Sequence, residues 1–134
     1  MEEECLFCKI INGEIPSYTL YEDEEVKVFL DIYPVSKGHC LLVPKEHYST
    51  IYDVPEEKMG FLSKLPSIAR KLKEVTQATG VNVLQSNEKD AGQVIFHTHF
   101  HLIPRFPNDN LMKLPPQSEL NKKLAEELVE KFKK

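Results

Sequence analysis

In the stretch 94–103 the chain repeats with a period of two. Val94, Phe96, Thr98, Phe100 and Leu102 fall on one parity, and His97, His99 and His101 fall on the other. Residues two apart on an extended strand share a face, so this pattern predicts a strand with a face packed on the core and a face carrying three imidazoles. Shorter runs predict two further strands at 18–22 and 26–30, joined as a hairpin across the acidic turn Asp23, Glu24, Glu25. Another strand is expected at 39–44, with Leu41, Leu42 and Val43 as its buried centre, and a fourth at 81–86. Residues 5–12 read as a short helix closed by Gly13. A long helix is predicted from about Asp53, placed three residues before Glu56 as in a capping box. Met59, Leu62, Leu65, Ala69, Leu72 and Val75 recur on its face, which packs on the sheet or on a partner. Pro66 removes the bond to the carbonyl of Leu62 and predicts a kink, and Thr79 and Gly80 end the helix. A last helix begins near Ser118, and its stripe of Leu120, Leu124, Leu128 and Phe132 reads as a docking face. Five strands, mostly hairpin-connected and flanked by helices, give an antiparallel α+β domain.

With 134 residues, 41% of them hydrophobic, the chain is the size of one domain with a core of its own. It is read as a single domain over 1–134, with a core at 5–105 and a C-terminal extension at 106–134. A formal net charge of −4 argues against broad capture of nucleic acid, which needs a positive surface to displace counterions. A small phosphate-bearing ligand fits the charge better, because a local site can be rich in donors within an acidic protein. No apolar run approaches the ~18 residues that span a bilayer, and the acidic start is unlike a signal peptide, so a soluble, cytoplasmic protein without membrane contact is expected. In that setting the three cysteines do not read as disulfide partners. Cys5 and Cys8 have the C-x-x-C spacing of two thiolates on one zinc, which needs two further ligands; His47 and His97 are the candidates. Cys40 reads as a small core residue.

The three alternating histidines cannot all bind one metal, since the first and last stand ~13 Å apart along a strand. Neighbours two apart can share one. The remaining imidazole then suits nucleophilic or acid-base work. The polar loop at 87–93 leads into this segment, with Gly92 available for close backbone approach to a ligand.

The run His97, Thr98, His99, Phe100, His101, Leu102, Ile103 resembles the signature of the histidine triad (HIT) family, His-x-His-x-His followed by two apolar residues. The segments CLFCKIINGEIPSYTLYEDEEV, FLDIYPVSKGHCLLVPKEHY and AGQVIFHTHFHLIPR resemble, in order, the Hint branch in its microbial form. The resemblance implies a HIT-like fold and a nucleotide hydrolase or transferase. Its substrates would be nucleoside monophosphate derivatives, such as purine nucleoside phosphoramidates or dinucleoside polyphosphates. By the same resemblance His99 attacks the α-phosphorus to form a nucleotidyl-histidine that water cleaves. His101 then hydrogen-bonds the phosphate, and Gln93 and Asn87 add polar contacts around phosphate and leaving group. Many relatives carry a serine where this chain has Val94, so only the backbone N–H can serve there. Asp31 matches the acidic residue that receives the ribose hydroxyls, Phe29, Leu30 and Ile32 wall the base, and His39 takes a supporting place beside the triad. Arg105 is either a phosphate neighbour or a surface residue. Cys5, Cys8, His47 and His97 match a zinc-binding set, whose filled shell would make the metal structural. The resemblance also implies a homodimer. The competing readings are a nucleotide-binding sensor or adaptor with little turnover, and a zinc-centred structural protein.

Overall fold

Alternating residues along the central strands sort into two cores, one on each face of a sheet. The computed structural model describes residues 4–111 and 114–134; the acidic start at 1–3 lies outside the described residues. The strands are β1 (Thr19–Glu22), β2 (Val26–Leu30), β3 (Cys40–Pro44), β4 (Gly80–Leu84) and β5 (Phe100–Arg105). They form one antiparallel sheet in the order β1-β2-β3-β5-β4. The β1–β2 hairpin is closed by Asp23, whose carboxylate accepts from the backbone N–H groups of Glu25 (2.8 Å) and Val26 (3.0 Å).

Val26, Val28, Cys40, Leu42 and Leu102 point to one face, where they meet Phe61 and Leu72. Helix α2 (Leu65–Thr76) covers this side. Each such buried aliphatic side chain contributes about 1.5–3 kcal/mol. The intervening residues Phe29, Leu41 and Val43 point to the other face and pack against Cys5, Phe7, Cys8 and Ile10 of the short helix α1 (Leu6–Ile11) and its cap. With both faces covered, β3 is buried along its whole length. Buried Lys27 holds α1 in place by donating from Nζ to the carbonyl of Ile10, an acceptor at the helix C-terminus (3.3 Å). Gly13 follows in the left-handed region, φ +82°, and turns the chain out of the helix.

The structure changes several expectations. The long helix does not start at Asp53. Asp53 instead closes a capping box headed by Thr50, accepting from the Thr50 backbone N–H (3.0 Å) and hydroxyl (3.1 Å). Two 3₁₀ stretches follow, Ile51–Asp53 and Glu56–Lys64, and the α-helix begins only at Leu65. Pro66 therefore starts the helix rather than kinking it, since a first-turn N–H has no partner within the helix, so that its absence in proline costs nothing, and proline's fixed φ suits that position. The helix ends at Thr76, earlier than Thr79, because Gln77 adopts a left-handed φ of 62° and Ala78 bonds back to the Lys73 carbonyl. Asn121 caps α3 (Lys122–Phe132) through its side chain, so this helix starts later than Ser118.

The histidine strand is also shorter than its alternation predicts. Pairing begins at Phe100, and residues 93–99 run outside the ladder. Thr98, for example, donates its backbone N–H to the Tyr48 carbonyl at 2.7 Å. Thr98 and Leu102 are fully buried as expected, whereas Val94 and Phe96 are exposed rather than packed on the core. Among the described residues no helix is long and apolar enough to cross a membrane.

Candidate active site

Departure from strand geometry sends the three histidines to different partners. His97 is fully buried, and its Nε2–H donates to the carbonyl of Pro44 at 2.8 Å. That leaves Nδ1 as a bare lone pair. It lies 3.4 Å from Cys5 Sγ, 3.5 Å from Cys8 Sγ and 3.2 Å from His47 Nδ1, while Cys8 Sγ lies 3.3 Å from His47 Nδ1. Burial pushes the His97 pKa down to about 4, which keeps the ring neutral as a ligand must be. Four ligand atoms on one tetrahedral zinc stand roughly 3.3–3.8 Å from one another, so this donor set has the right chemistry and spacing for that ion. Helix α1 positions both thiols, because Cys5 is its N-cap and accepts from the Cys8 backbone N–H at 3.2 Å.

His99 has a different pair of partners. Its Nδ1–H donates to the carbonyl of His97 at 2.7 Å, and its ring meets Phe7 edge-on with centroids 4.9 Å apart. Burial lowers its pKa. The neutral ring therefore presents an unprotonated Nε2. It lines a cleft of about 420 Å³ on the α1 side of the sheet, together with His101, Asp31, Gly92 and an apolar wall that includes Phe7, Phe29 and Leu41.

A chain of donors fixes the third histidine. The backbone N–H of Val35 donates to His39 Nδ1 (3.2 Å), so the proton of buried His39 sits on Nε2, which faces His101 Nδ1 at 2.9 Å. His101 then carries its own proton on Nε2. Burial, reinforced by the neighbouring His99 and His39, pushes its pKa down to about 4. Asp31 follows β2 at the cleft edge, where its backbone N–H donates to the His39 carbonyl (3.0 Å) and its Oδ1 accepts from the Tyr33 backbone N–H (2.9 Å). Its Oδ2 stands 3.6 Å from His39 Nε2, beyond hydrogen-bond reach.

Not every expected residue reaches the cleft. Gln93 is buried with both ends of its amide engaged: Oε1 accepts from the Glu88 backbone N–H (2.7 Å), and Nε2 donates to the carbonyls of Ser49 (2.7 Å) and Ile95 (3.1 Å). Asn87 accepts from the Ile51 backbone N–H and exchanges hydrogen bonds with the Gln85 amide. Both side chains brace the 85–95 loop. Arg105 is also spoken for, since its guanidinium grips Asp109 and Asn82. Leu30 and exposed Ile32 lie on the cleft lining, and Val94, 83% exposed, stands at its mouth. The periodic pattern gave no hint of Phe7 or of the Pro44 and His97 carbonyls, because backbone acceptors and a core aromatic leave no mark in spacing.

A family model described as "HIT domain" matches residues 12–108. The chain belongs to the HIT family. It is 46% identical over 105 residues to the Protein hit of Bacillus subtilis, covering 78% of this chain and 72% of that one. It is 44% identical over 112 residues to the adenylylsulfatase HINT3 of Arabidopsis thaliana, covering 83% and 57%. Identity is likewise 44% over 105 residues to the adenosine 5′-monophosphoramidase HNT1 of Saccharomyces cerevisiae, covering 78% and 65%. Among solved structures, SMU.412c from Streptococcus mutans superposes with a TM-score of 0.94 at 40% identity, over 99% of this chain and 85% of that one. A HIT family member from Bacillus subtilis gives 0.90 at 36% identity, over 97% and 95%.

Proposed function

We propose that this HIT protein hydrolyses purine nucleoside 5′-monophosphate derivatives through a covalent intermediate on His99. One observation carries the reading: the His97 carbonyl takes the Nδ1 proton of His99, so that a neutral imidazole turns its Nε2 lone pair into the cleft. Attack forms the Nε2–phosphorus bond as the bond to the leaving group breaks, its electron pair leaving with that group. Positive charge gathers on the ring in this step and is stabilised by the same carbonyl. His101, its Nδ1 held by His39, offers Nε2–H to a phosphate oxygen, and Asp31 receives the ribose hydroxyls. With Val94 at the mouth there is no hydroxyl to protonate the leaving group, which takes its proton from solvent. Water then attacks phosphorus, and the Nε2–phosphorus bond returns its electrons to the ring. Two relatives with the names adenosine 5′-monophosphoramidase and adenylylsulfatase support an adenylyl group as the common element and a variable leaving group. Rapid acid-free quenching and mass spectrometry should detect the nucleotide on His99, and stopped-flow should show a burst of leaving group before steady turnover. Neither adduct nor burst, with turnover intact, would refute the covalent route.

Cys5, Cys8, His47 and His97 would hold a structural zinc, which binds α1 to the segment that orients His99 and supplies no step of the reaction. We further infer a homodimer. β4 is one of the two edges of the sheet, and Val83 and Leu84 on it are exposed, a combination that invites pairing with a second copy.

A further inference from the structure

Beyond the cleft, the least explained feature of the molecule is its last helix. None of the residues of α3 is buried, although Leu124, Leu128, Val129 and Phe132 recur along it, and Phe132 is 94% exposed. Leu120, just before the helix, is also exposed. An amphipathic helix of 11 residues is marginal alone in water, so this apolar face needs a cover. The crystal structures from S. mutans and B. subtilis match this chain over almost its whole length, arm included. Residues 114–134 make up about a sixth of the chain, and TM-scores of 0.94 and 0.90 over nearly its whole length leave no room for an arm displaced in either relative. A helix that buries none of its residues against the described residues of its own chain, yet keeps its place in separate proteins, is held by something outside the chain.

What could hold it lies close to the root of the arm. Leu111 sits in a depression with Thr76 and Gln77, at the C-terminal end of α2. Beside that end runs a groove of about 490 Å³ between α2 and β1, lined by Leu20, Tyr21, Ile68, Lys71, Leu72 and Val75, with Cys40 at its floor. Leu20 and Val75 on its walls are exposed apolar residues with nothing to cover them in one chain. Glu127 flanks the stripe and is opposite in charge to Lys71 on the groove. The arm does not fold back into this groove. Pro115 and Pro116 hold the approach to α3 extended, and eight residues of such a spacer reach up to about 25 Å. An element kept from packing in its own chain by a stiff connection, beside an uncovered apolar groove, is the arrangement that exchanges between two copies.

We propose that α3 of each copy fills the groove between α2 and β1 of a second copy, so that the homodimer is locked by reciprocal exchange of its C-terminal arms. This rests on the homodimer reading above. The test mixes two full-length variants carrying tags of different size, Leu128→Cys in one and Lys71→Cys in the other, and treats them with a short bis-maleimide. Both positions are remote from the cleft. Cys40 stays unreactive, because burial pushes its thiol up to about 12, and Cys5 and Cys8 are buried. The expected product is a covalent heterodimer, and a single chain carrying both substitutions should likewise link to another chain. Cross-linking within one chain, or none in a protein that sediments as a dimer, would overturn the arm exchange and leave the homodimer standing. An unmodified protein that sediments as a monomer would remove both. As a second measure, Leu124→Glu combined with Leu128→Glu should weaken dimerisation at least tenfold without unfolding the monomer, which buries neither side chain. An unchanged dissociation constant would also overturn the proposal.

Discussion

His97 and His101 stand four positions apart, and burial pushes both down to about 4, yet the two rings belong to different machines. His97 gives its Nε2 proton to the Pro44 carbonyl and turns its lone pair toward two thiols and a second imidazole. His101 accepts at Nδ1 from His39 and keeps its Nε2 proton for the cleft. Burial alone therefore does not distinguish a ligand from a donor. The atom that meets the second nitrogen does, by choosing the tautomer. His99 stands between them and borrows from both regions, since the carbonyl that orients it belongs to His97 and the ring beside it is His101.

If the two regions carry separate jobs, they should fail separately. His99→Ala has the largest expected effect: turnover falls by about 10⁴-fold or more, as when a nucleophile is removed, while nucleoside monophosphate binding changes little. Single-turnover kinetics and calorimetric titration measure the two halves, and a variant within tenfold of the parent would refute the nucleophile. Cys8→Ser should do the reverse. Loss of one ligand from a closed zinc shell is expected to cost about 3 kcal/mol, or roughly 10 °C in Tm for a chain of this length, while cold, folded protein keeps most of its activity. Elemental analysis of the parent, purified without chelator, should find about one zinc per chain. Metal-free protein with both thiols open to titration would rule out the site; folded protein that loses its chemistry with its zinc would move the metal into the mechanism.

Much of this division can be read from residue order, because strand periodicity and motif spacing are local properties. The hairpin at Asp23 and the buried run Leu41, Leu42, Val43 both follow from composition over a few residues. So does the C-x-x-C pair at the start of α1. What escaped depends on partners far along the chain. Val94 and Phe96 continue the alternation of Phe100 and Leu102, but backbone bonds such as that from Thr98 to Tyr48 hold their segment off the ladder. Gln93 has the polarity of a phosphate contact, and only the position of Ser49 and Glu88 shows its amide already taken. Pro66 reads as a kink as long as the helix is taken to start at Asp53, and only the end of the preceding 3₁₀ stretch makes it a first-turn residue. His39 had no assigned partner in the sequence, and its place in the relay comes from the pairing of Leu41 with His101 across β3 and β5.

The low pKa of His101 makes a third, smaller prediction. Folded, the ring stays neutral down to about pH 4, whereas in the unfolded chain it titrates near ~6.5, so between these values the unfolded state binds more protons. The stability it contributes is complete above about pH 6.5, declines as pH falls through that window and levels off below about 4. With solvent screening of a half-buried ring, the loss is about 1–2 kcal/mol. His101→Gln should flatten this slope. Because acid also protonates the zinc ligands, the informative quantity is the difference between parent and variant in urea unfolding at several pH values, in which the shared metal contribution cancels. Parallel curves would show that His101 is not held neutral by the fold.

Asp31→Asn should give the smallest effect and the most selective one. The substitution keeps the size of the side chain and an oxygen able to accept from the Tyr33 backbone N–H, so the turn after β2 should survive. It removes the charge and one of two acceptor oxygens at the cleft edge. A hydrogen bond to a charged acceptor contributes about 1.5–3 kcal/mol and a neutral one about half that, so ribonucleotide affinity should fall roughly tenfold. A 2′-deoxy ligand already lacks one of the two hydroxyls, so it should lose less, and the preference for ribose should shrink with it. The decisive readout is therefore the ratio of the two affinities, measured for parent and variant with a nucleoside monophosphate and its 2′-deoxy form. A uniform loss would point to a general electrostatic effect of Asp31 on His39 and His101, whose rings stand beside it. A parent that binds both sugars equally would take the ribose role from Asp31 altogether.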